Sequence, residues 1–313
     1  MTRRLVPREG LAGPGDVVVS YLYVLPALVV FFIFVLLPFA ASVAVSFFRW
    51  QGVGLPEDFV GLENYIGDPK GYASLIADER VHRAFLHTLV LIVFYSVLPI
   101  TIALGLTSLM TRRQVRGMAA FRVIFFLPYV IPPVAIGIIW RWMYHPDPAV
   151  GPINGVLASM GRNDLVTAFL GDFTLALPAI GLIGTWVFFG LCLVLFLAGI
   201  QKIPTTLYDA AQMDGAGALH TFVAVTLPGL RNEIVVAVTL TMVLALQTFD
   251  IVAVTTTGGP GDSTNVPSLE IFKRAFTFGF VGSAAAAAAV LAAVVLIVSY
   301  SIRRFGESPQ GSS

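Results

Sequence analysis

Three polar side chains near the end of a long apolar run, residues 234–254, could carry out chemistry: Gln247, Thr248 and Asp250. On a helix that begins at Ile234, Asp250 lies roughly 24 Å along the axis, at ~1.5 Å per residue. A carboxylate at the centre of a bilayer costs about 2.5–3.5 kcal/mol on insertion scales, so it should face a helix bundle or a cavity. These groups suit hydrogen bonding to a polar solute, a proton or cation site, or a contact between helices. The sequence alone does not decide between these three roles.

The groups that would make the chain an enzyme do not stand out in its sequence. A nucleotide-binding GxxxxGK[ST] loop needs a lysine after a glycine, whereas Lys70, Lys202 and Lys273 follow proline, glutamine and phenylalanine. The histidines stand in no HExxH pattern and have no cysteine companions, so no metal site is expected. Cys192 is the single cysteine, which excludes an intrachain disulfide. We therefore predict a chain that is not an enzyme and that binds no cofactor itself.

The composition predicts a membrane protein. Hydrophobic residues make up 57% of the chain and charged residues 12%, and the mean hydropathy is +0.85, which a water-soluble domain could not hydrate. The net charge of +1 gives no indication of a nucleic-acid partner. Because helices satisfy their own backbone groups in lipid, we expect an all-α, multi-pass protein in the cell membrane.

Six apolar runs are each near the ~20 residues needed to cross ~30 Å of hydrocarbon. The first follows Arg3, Arg4 and Arg8 and resembles a signal peptide, but it is far longer than the ~7–15 residues of a signal core. We interpret it as an uncleaved span, with cleavage near the small residues at 40–42 as the alternative. The predicted six-span domain covers 17–304, between an N-terminal tail (1–16) and a C-terminal tail (305–313), with spans at 17–48, 89–110, 123–144, 175–200, 234–254 and 281–302.

Prolines indicate where these spans bend or break. Proline removes a backbone donor, and its ring clashes with the preceding turn. Pro26 and Pro38 are candidates for a bend in the first span, whereas Pro128, Pro132 and Pro133 predict that the third span is broken. Such breaks at membrane depth are tolerated where the backbone is buried in protein or faces a water-filled path.

The distribution of basic residues indicates how the six spans are oriented in the membrane. With both termini inside, the inner segments hold eleven of the 19 lysines and arginines, and the densest cluster lies in the short turn after the second span. This distribution favours cytoplasmic termini, and it also places residues 201–233 in the cytoplasm. The eleven are Arg3, Arg4, Arg8, Arg112, Arg113, Arg116, Arg122, Lys202, Arg231, Arg303 and Arg304.

The polar stretch at 204–230 predicts two short helices joined at a bend. Thr206 with Asp209 three residues later is a helix-start pattern, in which the hydroxyl accepts from a free backbone N–H. Ala210 and Ala211 favour helix and let another surface approach closely. The two glycines that follow suit a helix end or reversal, and a proline closes the second helix; they are Gly215, Gly217 and Pro228.

This stretch resembles the EAA loop of permease subunits in binding-protein-dependent ABC importers, most closely the maltose- and glycerol-phosphate-type branch that imports carbohydrates. The matching positions are Ala210, Ala211, Asp214, Gly215, Ala216, Leu227 and Pro228, and Asp209 stands where the family has glutamate. The strings FVGLENY at 59–65, FFLPYVIPP at 125–133 and TTTGGPGDST at 255–264 are also similar to that family. The resemblance implies the six-span fold of type I ABC importer permeases. The alternative for 204–230 alone is an amphipathic loop on the membrane surface.

The resemblance also implies roles and partners. The loop's first helix would dock on an ATPase subunit, through Tyr208, Asp209, Ala210, Ala211, Met213, Asp214, Gly215 and Gly217. The cargo path would include Trp186, Phe188, Leu191, Thr241, Gln247, Thr248 and Asp250, and an external binding protein would dock at Gly258, Gly259 and Pro260. The expected partners are a second permease, two ATPase subunits that bind ATP and Mg, a solute-binding protein, membrane lipid and a carbohydrate cargo.

Two other functions remain open from the sequence. An ion-coupled secondary transporter would use Asp250 as its proton or cation site, but no internal repeat is obvious, which weighs against this class. A permease of the same fold could instead carry a polyamine or a phosphate compound. Copurification with an ATPase would separate the first alternative from an ABC importer.

Overall fold

The computed structural model describes residues 14–67, 74–111 and 117–306. This part of the chain is helical and forms no strand beyond an isolated bridge between Phe48 and Phe59, which confirms the all-α prediction. Several residues used in the orientation argument lie outside the described residues: Arg3, Arg4, Arg8, Arg112, Arg113 and Arg116. The same holds for Lys70 and for residues 307–313 of the C-terminal tail.

Sixteen α-helices follow one another in the described chain. Four π-turns and a short 3-10 helix (Asn163–Leu165) lie between them. The α-helices are α1 (Pro14–Phe31), α2 (Leu37–Val45), α3 (Glu63–Ile66), α4 (Glu79–Ile92), α5 (Leu98–Thr111), α6 (Met118–Val130), α7 (Pro133–Met143), α8 (Pro152–Ser159), α9 (Ala176–Ile200), α10 (Thr205–Met213), α11 (Ala218–Thr221), α12 (Leu227–Gly229), α13 (Arg231–Leu246), α14 (Asp250–Thr255), α15 (Pro267–Phe272) and α16 (Val281–Gly306).

Three of the π-turns lie directly ahead of a proline and let the helix continue through it. Proline cannot donate to the carbonyl four residues back, and its ring presses on that carbonyl. In each case the residue before the proline donates its N–H five residues back, which widens the turn. The donor and acceptor pairs are Leu37 with Phe32, Leu98 with Val93 and Leu227 with Phe222, followed by Pro38, Pro99 and Pro228.

Four helical segments are long and apolar enough to cross a membrane: Val19–Val45, Glu79–Met110, Ala176–Ile200 and Val281–Arg304. Two bent pairs pass the same test, Ala120–Val130 with Pro133–Met143 and Ala218–Gly229 with Arg231–Leu246. The prediction of six spans is met only if each pair counts as one span. The helix that contains the predicted second span (89–110) begins at Glu79, because Asp78 caps it by accepting the Arg80 N–H at 2.9 Å.

The third span is broken, as its prolines predict. α6 and α7 meet at an angle of 97°. Ile131, the residue before a proline, has an extended backbone with ψ 133°, and Pro133 opens the next helix. Proline disfavours the helical region for its predecessor and is well placed at the first helical position, so the break follows from the sequence.

The prediction of a continuous fifth helix over 234–254 is wrong. α13 ends at Leu246, and the chain leaves the helix at residues 247–249 before α14 begins at Asp250. Neither proline nor glycine marks this break. Tertiary contacts replace the helical pattern: the Phe249 ring lies 5.4 Å from the Phe272 ring, and Thr248 is buried. Asp250 therefore does not lie along one straight helix from Ile234.

Helix α9 lies at the centre of the packing. It contacts α5, α6, α4, α13 and the π-turn Val93–Val97. Glycines permit these close approaches: a Cβ on Gly184 would lie 1.9 Å from the Tyr95 ring, and one on Gly190 would lie 1.7 Å from the Phe125 carbonyl oxygen. The chain enters α9 through Asp172, which accepts from the Thr174 hydroxyl and from the backbone N–H groups of Thr174 and Leu175. These bonds hold the pKa of the Asp172 carboxyl below its usual value.

Candidate functional site

Helix α10 in the 201–233 segment begins differently from its predicted pattern. Pro204 is the residue before the helix, with φ −58° and an extended ψ of 131°, and no side chain caps the end. Thr206 lies within the first turn, so its predicted capping role is wrong. The fixed φ of proline already directs the chain into the helix.

The end of α10 confirms the predicted role of its glycines. Gly215 has φ +72° and donates to the Gln212 carbonyl at 3.0 Å, and Ala216 donates to the Ala211 carbonyl at 2.9 Å. This pair of bonds is the Schellman arrangement, which needs a left-handed residue. Gly217 is extended and starts α11, which gives the predicted pair of short helices with a bend between them.

The two faces of α10 have different surroundings. Tyr208, Asp209 and Gln212 line a pocket of about 560 Å³ that also meets α11 and the π-turn Phe222–Thr226. The Tyr208 hydroxyl lies 3.2 Å from Thr226 Oγ1 across this pocket. The other side of α10 is exposed, and Met213 is 88% exposed. Of the residues predicted to contact an ATPase, Ala210, Met213, Asp214, Gly215 and Gly217 are therefore exposed, Ala211 is half-buried, and Tyr208 and Asp209 line the pocket.

The base of the 201–233 segment joins α9 to α13. Lys202 Nζ lies 2.8 Å from Glu233 Oε1. Leu230 and Ile203 are buried beside this pair, and a Cβ on Gly199 would lie 2.7 Å from the Glu233 side chain. Packed side chains thus connect the segment that carries α10 to both α9 and α13.

The predicted cargo-path residues separate into buried and exposed groups. Thr241 is fully buried and hydrogen bonded to Ser96 Oγ at 2.8 Å, so it makes a contact between helices. Three further residues are buried, and three are exposed. The buried ones are Phe188, Leu191 and Thr248, and the exposed ones are Trp186, Gln247 and Asp250.

Aromatic rings continue this exposed region onto α6 and α7. Trp186 is 40% exposed and packs edge-on against Trp140, with ring centroids 5.6 Å apart. Tyr129 is 37% exposed and lies 6.3 Å from the Phe188 ring. Sequence reasoning missed Tyr129 and Trp140 as possible site residues. Tyr129 lies inside the FFLPYVIPP string, directly ahead of the break, and that position is the signal that could have found it.

Two polar side chains at the helix break, Asp250 and Gln247, form no hydrogen bond within the described residues. Among the residues that the structure describes, the Asp250 carboxylate forms no hydrogen bond or ion pair and is exposed. The Tyr95 hydroxyl is buried next to Thr248. An unpaired carboxylate and a free amide (Gln247) beside aromatic faces suit the hydroxyls and C–H faces of a polar organic solute.

The 256–265 loop, which follows α14, is held together by hydrogen bonds between its own residues. Thr264 donates to the Gly259 carbonyl at 2.8 Å and lies 2.7 Å from Thr256 Oγ1. Gly258 is buried against Lys273, whereas Gly259 and Pro260, the other predicted docking residues, are half-buried. Over 14–67, 74–111 and 117–306, no group of three His, Cys, Asp or Glu side chains could hold a metal ion.

Comparisons with known proteins identify the family of this chain. A family model described as "Binding-protein-dependent transport system inner membrane component" matches residues 102–307. The diacetylchitobiose uptake system permease of Streptomyces coelicolor is 34% identical over 299 residues, which cover 91% of this chain and 82% of that protein. The trehalose/maltose transport system permease of Thermococcus litoralis is 33% identical over 304 residues, which cover 96% and 95%.

The fold has a solved counterpart. A chain of a bacterial ABC transporter involved in the import of the acidic polysaccharide alginate superimposes with a TM-score of 0.75 at 22% identity. The match covers 94% of this chain and 96% of that one. The family model matches more than half of the chain, and both relatives are more than 30% identical over most of it, so the chain belongs to the family of inner membrane components of binding-protein-dependent transport systems.

Proposed function

We propose that the chain is a permease subunit of an ATP-driven importer whose cargo is a sugar or oligosaccharide. The observation that carries this proposal is the match to two saccharide permeases, each at least 33% identical over more than nine-tenths of the chain. The exposed Trp186, Gln247 and Asp250 support it, since aromatic faces with hydrogen-bonding groups suit sugar rings.

The subunit would act within a complex of two permeases, two ATPase subunits and an external binding protein. ATP and Mg would be bound by the ATPase subunits. One of the alginate importer structures contains a periplasmic protein bound to alginate pentasaccharide, which supports a binding protein as partner. The first helical segment, Val19–Val45, is exposed along its apolar length and would face lipid and the second permease.

Coupling to the ATPase would run through the exposed side of α10. Leu207 is 50% and Met213 88% exposed at an otherwise polar part of the chain, and exposed apolar side chains of this kind suit a partner surface. Closure of the ATPase subunits would displace α10 and, through Lys202, Glu233 and Leu230, move α9 and α13. The translocation path through the two permeases would then alternate between inward-facing and outward-facing states. Both termini of the chain would lie in the cytoplasm.

Cargo would bind at the break between α13 and α14. Irregular backbone at membrane depth is found where it lines a cavity or is buried in protein. Gln247 would donate to a cargo hydroxyl, Asp250 would accept from one, and Trp186 with Tyr129 would cover apolar ring faces. An unpaired Asp250 is also what an ion-coupled carrier would need, and this alternative is tested together with the proposal.

Uptake into proteoliposomes tests the energy source. The complex is reconstituted with the binding protein and radiolabelled saccharide, with ATP on the ATPase side and ion gradients collapsed. We expect wild-type uptake to require ATP and to persist without gradients, and Asp250→Asn to remain ATP dependent. Uptake that continues without ATP and stops when the gradients are collapsed would overturn the importer proposal.

A further inference from the structure

Arg274 is a deeply buried cation in the segment between the predicted fifth and sixth spans. It is 1% exposed and lies in the π-turn Lys273–Thr277. Its guanidinium donates to Glu270 Oε1 at 3.0 Å and to Ser283 Oγ at 2.6 Å, and it is ion-paired with Asp78. Asp78 caps α4, Glu270 belongs to α15 and Ser283 to the start of α16. One side chain therefore connects the first turns of two spans with the short helix α15.

A second layer of bonds extends from this ion group to the 256–265 loop. The other oxygen of Glu270 accepts from Asn265 Nδ2 at 2.7 Å, and the Asn265 carbonyl oxygen is 2.8 Å from His87 Nδ1 in α4. Asn265 is fully buried. Lys273 Nζ lies 3.2 Å from Asp262 Oδ1. The loop is thus held at its end and in its middle by side chains next to Arg274.

The backbone of the 256–265 loop needs such support. Thr257 has φ +54° and Asp262 has φ +63°, and positive φ is a genuine outlier for a β-branched residue such as threonine. Residues in these conformations persist only when surrounding contacts hold them, and they cluster at functional sites. The bond of Lys273 to Asp262 and the bonds of Asn265 to Glu270 and His87 are contacts of this kind.

Stability alone does not account for this ion group. Replacing a buried ion group by apolar residues of similar volume is often neutral or stabilising. Among the residues that the structure describes, one guanidinium is paired with two carboxylates. What the group does supply is a fixed geometry between α4, α15, α16 and the loop.

We propose that Arg274 is a positioning residue for the 256–265 loop and holds it in the one conformation that the solute-binding protein recognises. This inference rests on the proposed importer function and on docking of the binding protein at Gly258, Gly259 and Pro260 of this loop, which the family resemblance implies. Without Arg274 the loop samples other conformations, and the apparent affinity for the binding protein falls with the competent fraction. Gln247 and the α10 helix lie elsewhere, so the maximal rate at saturating binding protein is unchanged.

The experiment measures ATP hydrolysis by the complete complex in lipid nanodiscs, titrated with cargo-loaded binding protein. The main variant combines Arg274→Met, Asp78→Asn and Glu270→Gln, which leaves no buried charge unpaired and keeps a good helix cap at position 78. A milder variant, Arg274→Lys, keeps the charge but loses the planar fork of donors. The matched control is Arg83→Gln, which removes the exposed Arg83–Glu79 pair (2.7 Å) on the same helix as Asp78.

We expect the triple variant to raise the KM for the binding protein about tenfold, with kcat within about twofold of wild type. Arg274→Lys should give a smaller rise, and Arg83→Gln should match wild type. An unchanged KM overturns the proposal, and so does a loss of kcat at every binding-protein concentration without a rise in KM. If the triple variant does not assemble, Arg274→Lys decides on the same criteria. If ATP hydrolysis by the wild-type complex does not respond to the binding protein, the importer function itself is contradicted.

Discussion

At the scale of single residues, Gln247 offers a direct test of the cargo site. Its amide is exposed at the break between α13 and α14, and its side chain forms no hydrogen bond within the described residues. A hydrogen bond from such an amide to a cargo hydroxyl contributes about 0.5–1.5 kcal/mol net. We expect Gln247→Ala to raise the cargo concentration for half-maximal uptake several-fold, with assembly and basal ATP hydrolysis unchanged.

Thr241→Val is the matched control for that measurement. Thr241 was predicted for the same path from sequence, but it is buried and bonded to Ser96. Its replacement leaves the Ser96 hydroxyl without this partner, so the thermal stability of the complex should fall while half-saturation by cargo stays near wild type. If Thr241→Val shifts half-saturation as much as Gln247→Ala does, the assignment of the exposed side of the break to cargo is wrong.

The predicted cargo-path residues could not be sorted by burial from the sequence, for a physical reason. In an apolar span, hydropathy does not distinguish a side that packs against protein from an exposed side, so the buried Thr241, Phe188 and Leu191 could not be separated from the exposed Trp186 and Gln247. Arg274 and Glu270 were missed because charged residues outside the predicted spans suggest solvent exposure. Their burial depends on contacts with Asp78, distant in sequence.

At the scale of elements, the end of α10 depends on one backbone conformation. Gly215 has φ +72° and Gly217 has φ −68°, and a Cβ at either position would meet nothing within 4 Å. The same substitution at the two sites therefore isolates the backbone effect. Gly215→Val should strain the turn by roughly 1–2 kcal/mol and lower cargo-stimulated ATP hydrolysis several-fold, whereas Gly217→Val should remain near wild type.

The readout is the ratio of stimulated to basal ATPase activity in the reconstituted complex. Membrane insertion is checked by the yield of each variant in purified membranes, because the strain lies in an exposed turn rather than in a span. Equal stimulation in both variants would contradict the role of α10 as the coupling helix.

Helix breaks could be predicted only where the sequence contains their cause. The break in the third span follows from Pro132 and Pro133, whose chemistry is local. The break at 247–249 was not predicted, because it arises from the packing of Phe249 against Phe272 and from the burial of Thr248. Likewise, α15 was not predicted, since its six residues are too few for a periodic pattern to reveal a helix.

At the scale of the whole molecule, composition and run lengths sufficed for the all-α membrane class. They could not predict how the helices pack around α9, because that packing depends on glycines in α9 that let Tyr95 and Phe125 approach closely. The orientation in the membrane is a further global property. It rests on the distribution of basic residues, several of which lie outside the described part of the chain, and it needs its own experiment.

Cysteine labelling in intact cells tests that orientation. In a Cys192→Ala background, Asp164→Cys should react with an impermeant thiol reagent added outside, because Asp164 is exposed in the segment between α8 and α9. Met213→Cys, at the exposed end of α10, should react only after permeabilisation, because the positive-inside rule places 201–233 in the cytoplasm. The background without cysteine should stay unlabelled in both conditions. The reverse pattern would put α10 outside, where it could not meet an ATPase, and would remove the basis for coupling through this helix.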